Sequence, residues 1–452
     1  MSPSEQAPGP RGSPQEPQPP LDIGAGELAD PLADTANTLS CGLNFLLSHL
    51  GHFALSRPKT KASNSCWHSW QTYSKIGISI APVGLIYPIR INSSKLRKRK
   101  GNLSSPGSKT EFENGLAEKP PGFASSTFHP HPWLRGGHVQ TLAAFFLSRR
   151  IELPPAERRL IEVEPGIPVL CHCHWQKDRH VLTLIVVHGL EGSSESQYMM
   201  GIARGGFAAG MNVIRMNQRN CGGMDHCAPT LYNSGRSADV AAVARNLVEN
   251  DGIPGFVLIG FSMGGNLVLK LAGEWGTEAP PEFRGVAAVC PAVNLAAGAD
   301  ALHEPSNRIY EYYFLVQLFR RFRRKAKLFP KTFDASRLRG IKSLREFDDR
   351  ITAFYCGFTG ADDYYDRAAA SYVIDRIARP ALVIHAANDP FVRILPETRQ
   401  KLLFNPNIRY VETEDGGHCA FFGQRNGNSH DGNQYDGRWA EREVVEFAKQ
   451  FR

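Results

Sequence analysis

Apolar positions change texture along this chain. Before about residue 128 they are scattered, whereas beyond it short apolar runs alternate with stretches of helical spacing. The runs predict strands at Arg159–Val163, Pro168–Trp175, Val181–Val187, Asn212–Met216, Phe256–Gly260, Gly285–Cys290, Ala381–His385 and Ile408–Glu412. Leu184-Ile185-Val186-Val187 and Ala381-Leu382-Val383-Ile384 are continuous, as parallel strands buried on both faces require. The first two strands are joined by Glu164-Pro165-Gly166, a hairpin signal. The expected fold class is therefore α/β: a mostly parallel eight-stranded sheet, antiparallel at its start and doubly wound afterwards, with helices on both faces. Between Cys290 and Ala381 the pattern turns helical and aromatic, and about 296–378 is expected to form a helical cap insertion above the carboxyl edge of the sheet.

One strand end carries chemistry. Phe256-Val257-Leu258-Ile259 runs into Gly260-Phe261-Ser262-Met263-Gly264-Gly265 and then into the helical pattern of Asn266 to Ala272. A GxSxG turn between strand and helix is a nucleophile elbow, whose tight packing admits only glycine at the flanks and presents the central serine. Read this way, Ser262 is the nucleophile; the bland reading is a Gly-rich loop that happens to hold a serine. A serine hydroxyl needs a base, and the base needs a carboxylate to orient it. Asp389 follows the strand at 381–385, and His418 follows the strand at 408–412 in the loop Asp415-Gly416-Gly417-His418. The chain order Ser, Asp, His is that of the α/β-hydrolase arrangement. Asp415, Asp362 and Asp363 are rival carboxylates and His430 is a rival base. An oxyanion hole would take one backbone N–H from Met263, after the nucleophile, and one from Leu190, in the turn His188-Gly189-Leu190-Glu191-Gly192 at an earlier strand end. His188 is expected to brace that turn.

Composition narrows the classes. The chain has 452 residues, 42% hydrophobic and 21% charged, the balance of a soluble globular protein. Residues 1–122 form a low-complexity or disordered N-terminal extension, rich in Pro, Gly, Ser, Glu and Gln over the first forty positions, and 123–452 the catalytic domain. Ile76 to Ile91 is interrupted by Pro82 and Pro88 and is too short to span a bilayer. The net charge of +8 is mild for this length, and no clustering with interleaved aromatics supports nucleic-acid binding. Lys95 to Lys100 reads as a solvated linker. The basic run Arg320 to Lys325 beside Phe314, Leu315, Leu318 and Phe319 could instead rest a cap helix on lipid, a peripheral membrane contact set against plain packing over the core. Nine scattered cysteines point to reduced thiols in a cytoplasmic compartment. Cys171-His172-Cys173-His174 has metal-ligand residue types, but strand alternation sends its cysteines and histidines to opposite faces, so neither a metal nor a cofactor is expected.

The segment from about residue 128 to the C-terminus resembles the YheT-like branch of the α/β-hydrolase superfamily. The resemblance rests on His131-Pro132-Trp133-Leu134-Arg135-Gly136-Gly137-His138-Val139-Gln140-Thr141, His188-Gly189-Leu190-Glu191-Gly192, Arg219-Asn220-Cys221-Gly222-Gly223, the elbow, Phe347-Asp348-Asp349, Tyr364-Tyr365, Asn388-Asp389-Pro390-Phe391 and Gly416-Gly417-His418. It implies a carboxylic-ester hydrolase with the triad Ser262, Asp389 and His418, acting on short- or medium-chain acyl esters or on lipid esters. Asn233-Ser234-Gly235 departs from the His-Ser-Gly frequent in the branch. Two other readings stand beside hydrolysis: acyl transfer to an alcohol on the same triad, which lacks the support of an HxxxxD signature, and a non-catalytic binding protein on the same fold.

Overall fold

The computed structural model describes residues 127–424 and 436–452, all within one compact unit, Leu103–Arg452. The expectations for residues 1–122 and for His430 lie outside the described residues.

Eight strands form one sheet in the order β1-β2-β4-β3-β5-β6-β7-β8. They are β1 (Glu157–Glu164), β2 (Ile167–His174), β3 (Thr183–Val187), β4 (Asn212–Met216), β5 (Phe256–Phe261), β6 (Phe283–Val289), β7 (Ala381–Ala386) and β8 (Ile408–Thr413). Each coincides with an apolar run of the sequence to within about two residues. β1 pairs antiparallel with β2, and β2 antiparallel with β4. From β4 across to β8 every pairing is parallel.

The helices follow from the same pattern: α1 (Gly137–Phe146), α2 (Gln197–Ala208), α3 (Ser237–Asp251), α4 (Met263–Trp275), α5 (Leu295–His303), α6 (Arg308–Leu328), α7 (Ala361–Ala368), α8 (Pro396–Phe404) and α9 (Trp439–Lys449). Because side chains alternate along a strand, β3 feeds both faces of the sheet. Ile185 and Val187 pack with Val243 and Leu247 of α3 and Leu267 and Leu271 of α4. Leu184 and Val186 pack with Met199 and Ile202 of α2 and Val444 and Phe447 of α9. The central strands are thus buried on both sides, and their continuous apolar runs have this cause.

β3 is the point where the chain reverses direction across the sheet. It runs from β3 to β4 on one side, then returns to lay β5 on the other. The loops leaving the carboxyl ends of β3 and β5 therefore diverge and open a crevice, the usual place for a ligand in a doubly wound sheet. Leu190 lies in the first loop and Ser262 at the head of the second.

Between β6 and β7, helices α5, α6 and α7 and a helical run over residues 344–356 cover this crevice. Their apolar cluster includes Leu302, Leu315, Leu318, Phe322 and Phe347, and Leu190, Leu231, Ala292 and Phe391 from the loops below pack into it. The basic run of α6 is divided by helical spacing. Arg321 and Lys325, four residues apart and so on one face, point down into the protein. The Lys325 ammonium is fully buried, bonded to the carbonyls of Asp225 and Ala228 and to Asn220 Oδ1, and burial lowers its pKa to about 8. Leu315 and Leu318 are buried too, so the apolar face of α6 packs on the core.

One helix begins earlier than its apolar content suggests. The sequence predicts a short helix at Leu142 to Leu147, whereas α1 starts at Gly137. Glycines weaken helix propensity, but Gly136 takes φ 95° to start the turn, and a Cβ on Gly137 would strike the Asn388 carbonyl. Gly136 supplies the positive φ, and Gly137 gives clearance against the Asp389 loop.

Candidate active site

Ser262 sits at φ 54° and ψ −119°, a strained conformation for a residue with a side chain. The surroundings hold it there. Its N–H donates to Val289 O at 3.0 Å, and its carbonyl accepts from Asn266 N at 3.1 Å and Ala292 N at 3.2 Å. A Cβ on Gly260 would meet the backbone of Gly264, and one on Gly264 would meet the carbonyls of Val187 and His188. These two glycines let α4 pack against β5 and β3 closely enough to make the elbow.

The hydroxyl of Ser262 lies 3.0 Å from His418 Nε2, and His418 Nδ1 lies 2.8 Å from Asp389 Oδ2. The structure therefore brings together three residues from separate strand ends, Ser262 and His418 lying 156 positions apart. Asp389 is 1% exposed. Its second oxygen accepts from the N–H groups of Phe391 at 3.1 Å and Val392 at 2.9 Å. Burial alone would raise its pKa, but the His418 charge and hydrogen bond, with the Val392 N–H, bring the carboxyl below its usual value. His418 shows the converse balance. Burial pulls its pKa down, while the charges of Cys419 and Asp389 hold it well above the ordinary imidazole value.

The rival carboxylates have other partners. Asp415 accepts from Asn388 Nδ2 at 2.8 Å and Gly416 N at 2.8 Å through one oxygen, and from Gly136 N at 3.0 Å through the other. Asp362 pairs with Arg345, and Asp363 with Thr359 N and Arg367.

His188 is buried at the end of β3. Its Nδ1 bonds Gly189 O at 2.8 Å and its Nε2 accepts from Gln218 N at 3.1 Å, which fixes the neutral tautomer. Burial lowers its pKa to about 4. It braces the 188–192 turn, the role the sequence suggests. That turn passes directly by Ser262, since a Cβ on Gly189 would come within 3.1 Å of Ser262 Cβ. Leu190 and Met263 both line the cavity at the serine.

The cavity has a volume of about 120 Å³ and mostly apolar walls. Leu190, Leu231, Met263, Leu302, Leu318, Phe347 and Phe391 surround Ser262. Polar members of the lining include Asp348, whose carboxylate accepts from Thr352 at 2.7 Å and Tyr365 at 2.9 Å, and burial raises the Asp348 pKa to about 6.

Several supporting residues carry no motif signal that assigns them a role. Thr141 of α1 accepts from the His418 N–H at 2.9 Å and donates to Gly137 O at 2.6 Å. Asn388 bonds Asp415 and, through Oδ1, the Gly417 N–H at 3.1 Å, so it ties the Asp389 loop to the His418 loop. Glu191, beside Leu190, is gripped by Arg321 of α6. Cys290 and Cys419 flank His418, with Cys419 Sγ 3.9 Å from His418 Nε2. By contrast Cys171 and Cys173 join the core, while His172 bonds Glu195 and His174 bonds Arg215 on the opposite face of β2. The described cysteines are all free thiols.

A doubly wound sheet with a strained serine at the head of β5, bonded through histidine to a buried carboxylate, is the architecture of the α/β hydrolases. The family pattern described as alpha/beta hydrolase fold matches residues 183–424, and the chain belongs to that family. Within it the chain belongs with the YheT-like proteins. It is 30% identical over 308 residues to YheT of Escherichia coli (strain K12), named as an esterase, covering 66% of this chain and 88% of that one. It is 27% identical over 311 residues to phospholipase ABHD3 of Homo sapiens (66% and 74% covered). It is 24% identical over 367 residues to monoacylglycerol lipase ABHD2 of Homo sapiens (71% and 82% covered). Among solved structures, the hyperthermophilic esterase of Pyrobaculum calidifontis aligns with a TM-score of 0.46 at 17% identity, covering 72% of this chain and 99% of that one. No described helix is long and apolar enough to cross a membrane.

Proposed function

We propose that this protein is a serine hydrolase that cleaves carboxylic esters through an acyl-enzyme. The observation that carries the reading is the unbroken line from Ser262 Oγ through His418 to Asp389, at 3.0 and 2.8 Å, opening on an apolar cavity. Ser262 attacks the ester carbonyl as His418 Nε2 takes its proton, and Asp389 holds Nδ1–H and stabilises the imidazolium. The N–H groups of Met263 and Leu190 receive the oxyanion. His418 then protonates the leaving alcohol and activates water to release the acid.

The cavity bears on the acyl group. Its mostly apolar walls, with Leu190, Leu231, Leu302, Leu318, Phe347 and Phe391 around Ser262, suit a hydrocarbon acyl chain. The names of YheT as an esterase and of ABHD3 as a phospholipase agree with an ester substrate. Hydrolysis of p-nitrophenyl esters by the wild type and by Ser262→Ala tests the reading: turnover should vanish in the variant while its unfolding transition stays in place. Retained turnover removes Ser262 from the mechanism.

A further inference from the structure

The catalytic histidine has a second set of neighbours that ester hydrolysis does not use. Cys290 follows β6 and Cys419 follows His418, and both hold positive φ, 43° and 56°. Their sulfurs and a ring nitrogen of His418 all lie within 4.8 Å of one another. We propose that Cys290, Cys419 and His418 form an inhibitory site for a thiophilic divalent cation, Zn²⁺, which switches the hydrolase off by occupying the base. This inference rests on the role given to His418 above.

The donor set suits zinc. Two thiolates and an imidazole are borderline-soft ligands of the type zinc prefers, and three protein ligands leave one tetrahedral position for water. With Zn–S near 2.3 Å and Zn–N near 2.0–2.1 Å, donors on one tetrahedral ion sit roughly 3.5–3.8 Å apart. Cys419 Sγ already lies 3.9 Å from His418 Nε2, so the ligands close on the ion by small side-chain rotations.

The surroundings are those of ligating groups. Histidines that bind metal nearly always give their other ring N–H to a carboxylate or carbonyl, and His418 Nδ1 already faces Asp389 Oδ2 at 2.8 Å, leaving Nε2 for the metal. The Cys419 N–H donates to Cys290 Sγ at 3.4 Å, while the Cys290 and Cys419 thiols donate to Gly417 O and Val289 O at 3.5 Å each, protons that metal binding displaces. His418 and Cys419 are part-exposed and Cys290 is buried. Cys290 also lies near His385 and Asp389, but both Asp389 oxygens are already engaged by His418 and by the Phe391 and Val392 N–H groups.

The binding step balances simply. Zn²⁺ takes the two thiolates, the Nε2 lone pair of His418 and one water, and every proton held by the two sulfurs and by Nε2 beforehand passes to solvent. The Nε2 lone pair is then unavailable to accept the Ser262 proton, so acylation stops until a chelator withdraws the ion.

The test uses the full chain, reduced and freed of metal, titrated with Co²⁺ as a spectroscopic probe and with Zn²⁺. The wild type should bind one Co²⁺ with a thiolate charge-transfer band that Zn²⁺ bleaches. Zn²⁺ should block fluorophosphonate labelling, and excess chelator should restore it. Cys290→Ala and Cys419→Ala should each weaken binding more than about 100-fold, while Cys227→Ala, on a different loop, should leave it unchanged. Cys419→Ala removes a part-exposed side chain, so it decides the matter if Cys290→Ala does not fold. An unaltered charge-transfer band in Cys419→Ala, or equal zinc sensitivity of labelling in wild type and Cys419→Ala, overturns the site. The band reports the ion whether or not the protein hydrolyses esters, so failure of the zinc site and failure of the esterase reading are separable.

Discussion

Arg321 on cap helix α6 grips Glu191 through two nitrogens, Nε to Oε1 at 2.9 Å and Nη2 to Oε2 at 3.2 Å. Glu191 sits at φ 54° immediately after Leu190, so the cap holds the very turn expected to receive the oxyanion. Arg321 also donates to Asn220 O at 2.8 Å, which joins the loops after β3 and β4 to the same guanidinium. A lysine has no planar fork to reproduce this grip. Arg321→Lys should therefore lower kcat by up to about 100-fold, the scale of a small misplacement of catalytic groups, with KM for a short ester changing much less. A steady-state comparison checks this, and a rise in KM at unchanged kcat would assign Arg321 to substrate binding instead.

The electrostatics of His418 fix the direction of a pH effect. The base works only when Nε2 is unprotonated, so activity rises as pH passes upward through the His418 pKa. Burial lowers that pKa, but Cys419 and Asp389 outweigh it and hold it well above 6.5. The acid limb of kcat/KM should lie above the ordinary imidazole range. Cys419→Ala removes one raising charge, so the limb should move to lower pH in that variant, read from pH profiles of both proteins.

Asn388 joins the loops of Asp389 and His418 without touching either reacting side chain. Asn388→Ala should lower kcat/KM by about 10-fold or more through looser geometry, with a smaller change in urea stability. The thermal and kinetic measurements together separate positioning from folding.

Stability has its own marker away from the site. The Arg219 side chain is 1% exposed and pairs with Asp239 of α3, Nε to Oδ2 at 2.6 Å. Removing one partner of a buried pair typically costs about 3–5 kcal/mol, whereas replacing both by apolar residues is often neutral. Asp239→Ala should lose about that much in urea denaturation, less whatever Glu164 recovers through its bond to Arg219. Arg219→Met with Asp239→Leu should recover most of it.

Much of this was legible in the residues. The central strands β3 and β5 are near-continuous apolar runs, because a parallel strand buried on both faces needs no partner in sequence to identify it. Ser262, Asp389 and His418 stand at strand ends in a fixed order, and that order reflects the topology. What escaped were contacts between loops: Thr141 on His418, Asn388 on Asp415, Arg321 on Glu191. Each joins residues between 27 and 277 positions apart, and none has a spacing that a periodic pattern could carry. The sequence leaves the Arg320 to Lys325 run between lipid contact and packing over the core, because spacing alone does not say which charges turn inward. Arg321 and Lys325 turn inward because carbonyls and Glu191 are waiting there.

Fluorophosphonate labelling of the reduced, metal-free protein, followed by peptide mapping, tests the central claim most directly. The account predicts one labelled peptide, carrying the adduct on Ser262, and no labelling in Ser262→Ala or after His418→Ala. Folded wild-type protein that takes no label, or that carries it on another residue, would contradict it.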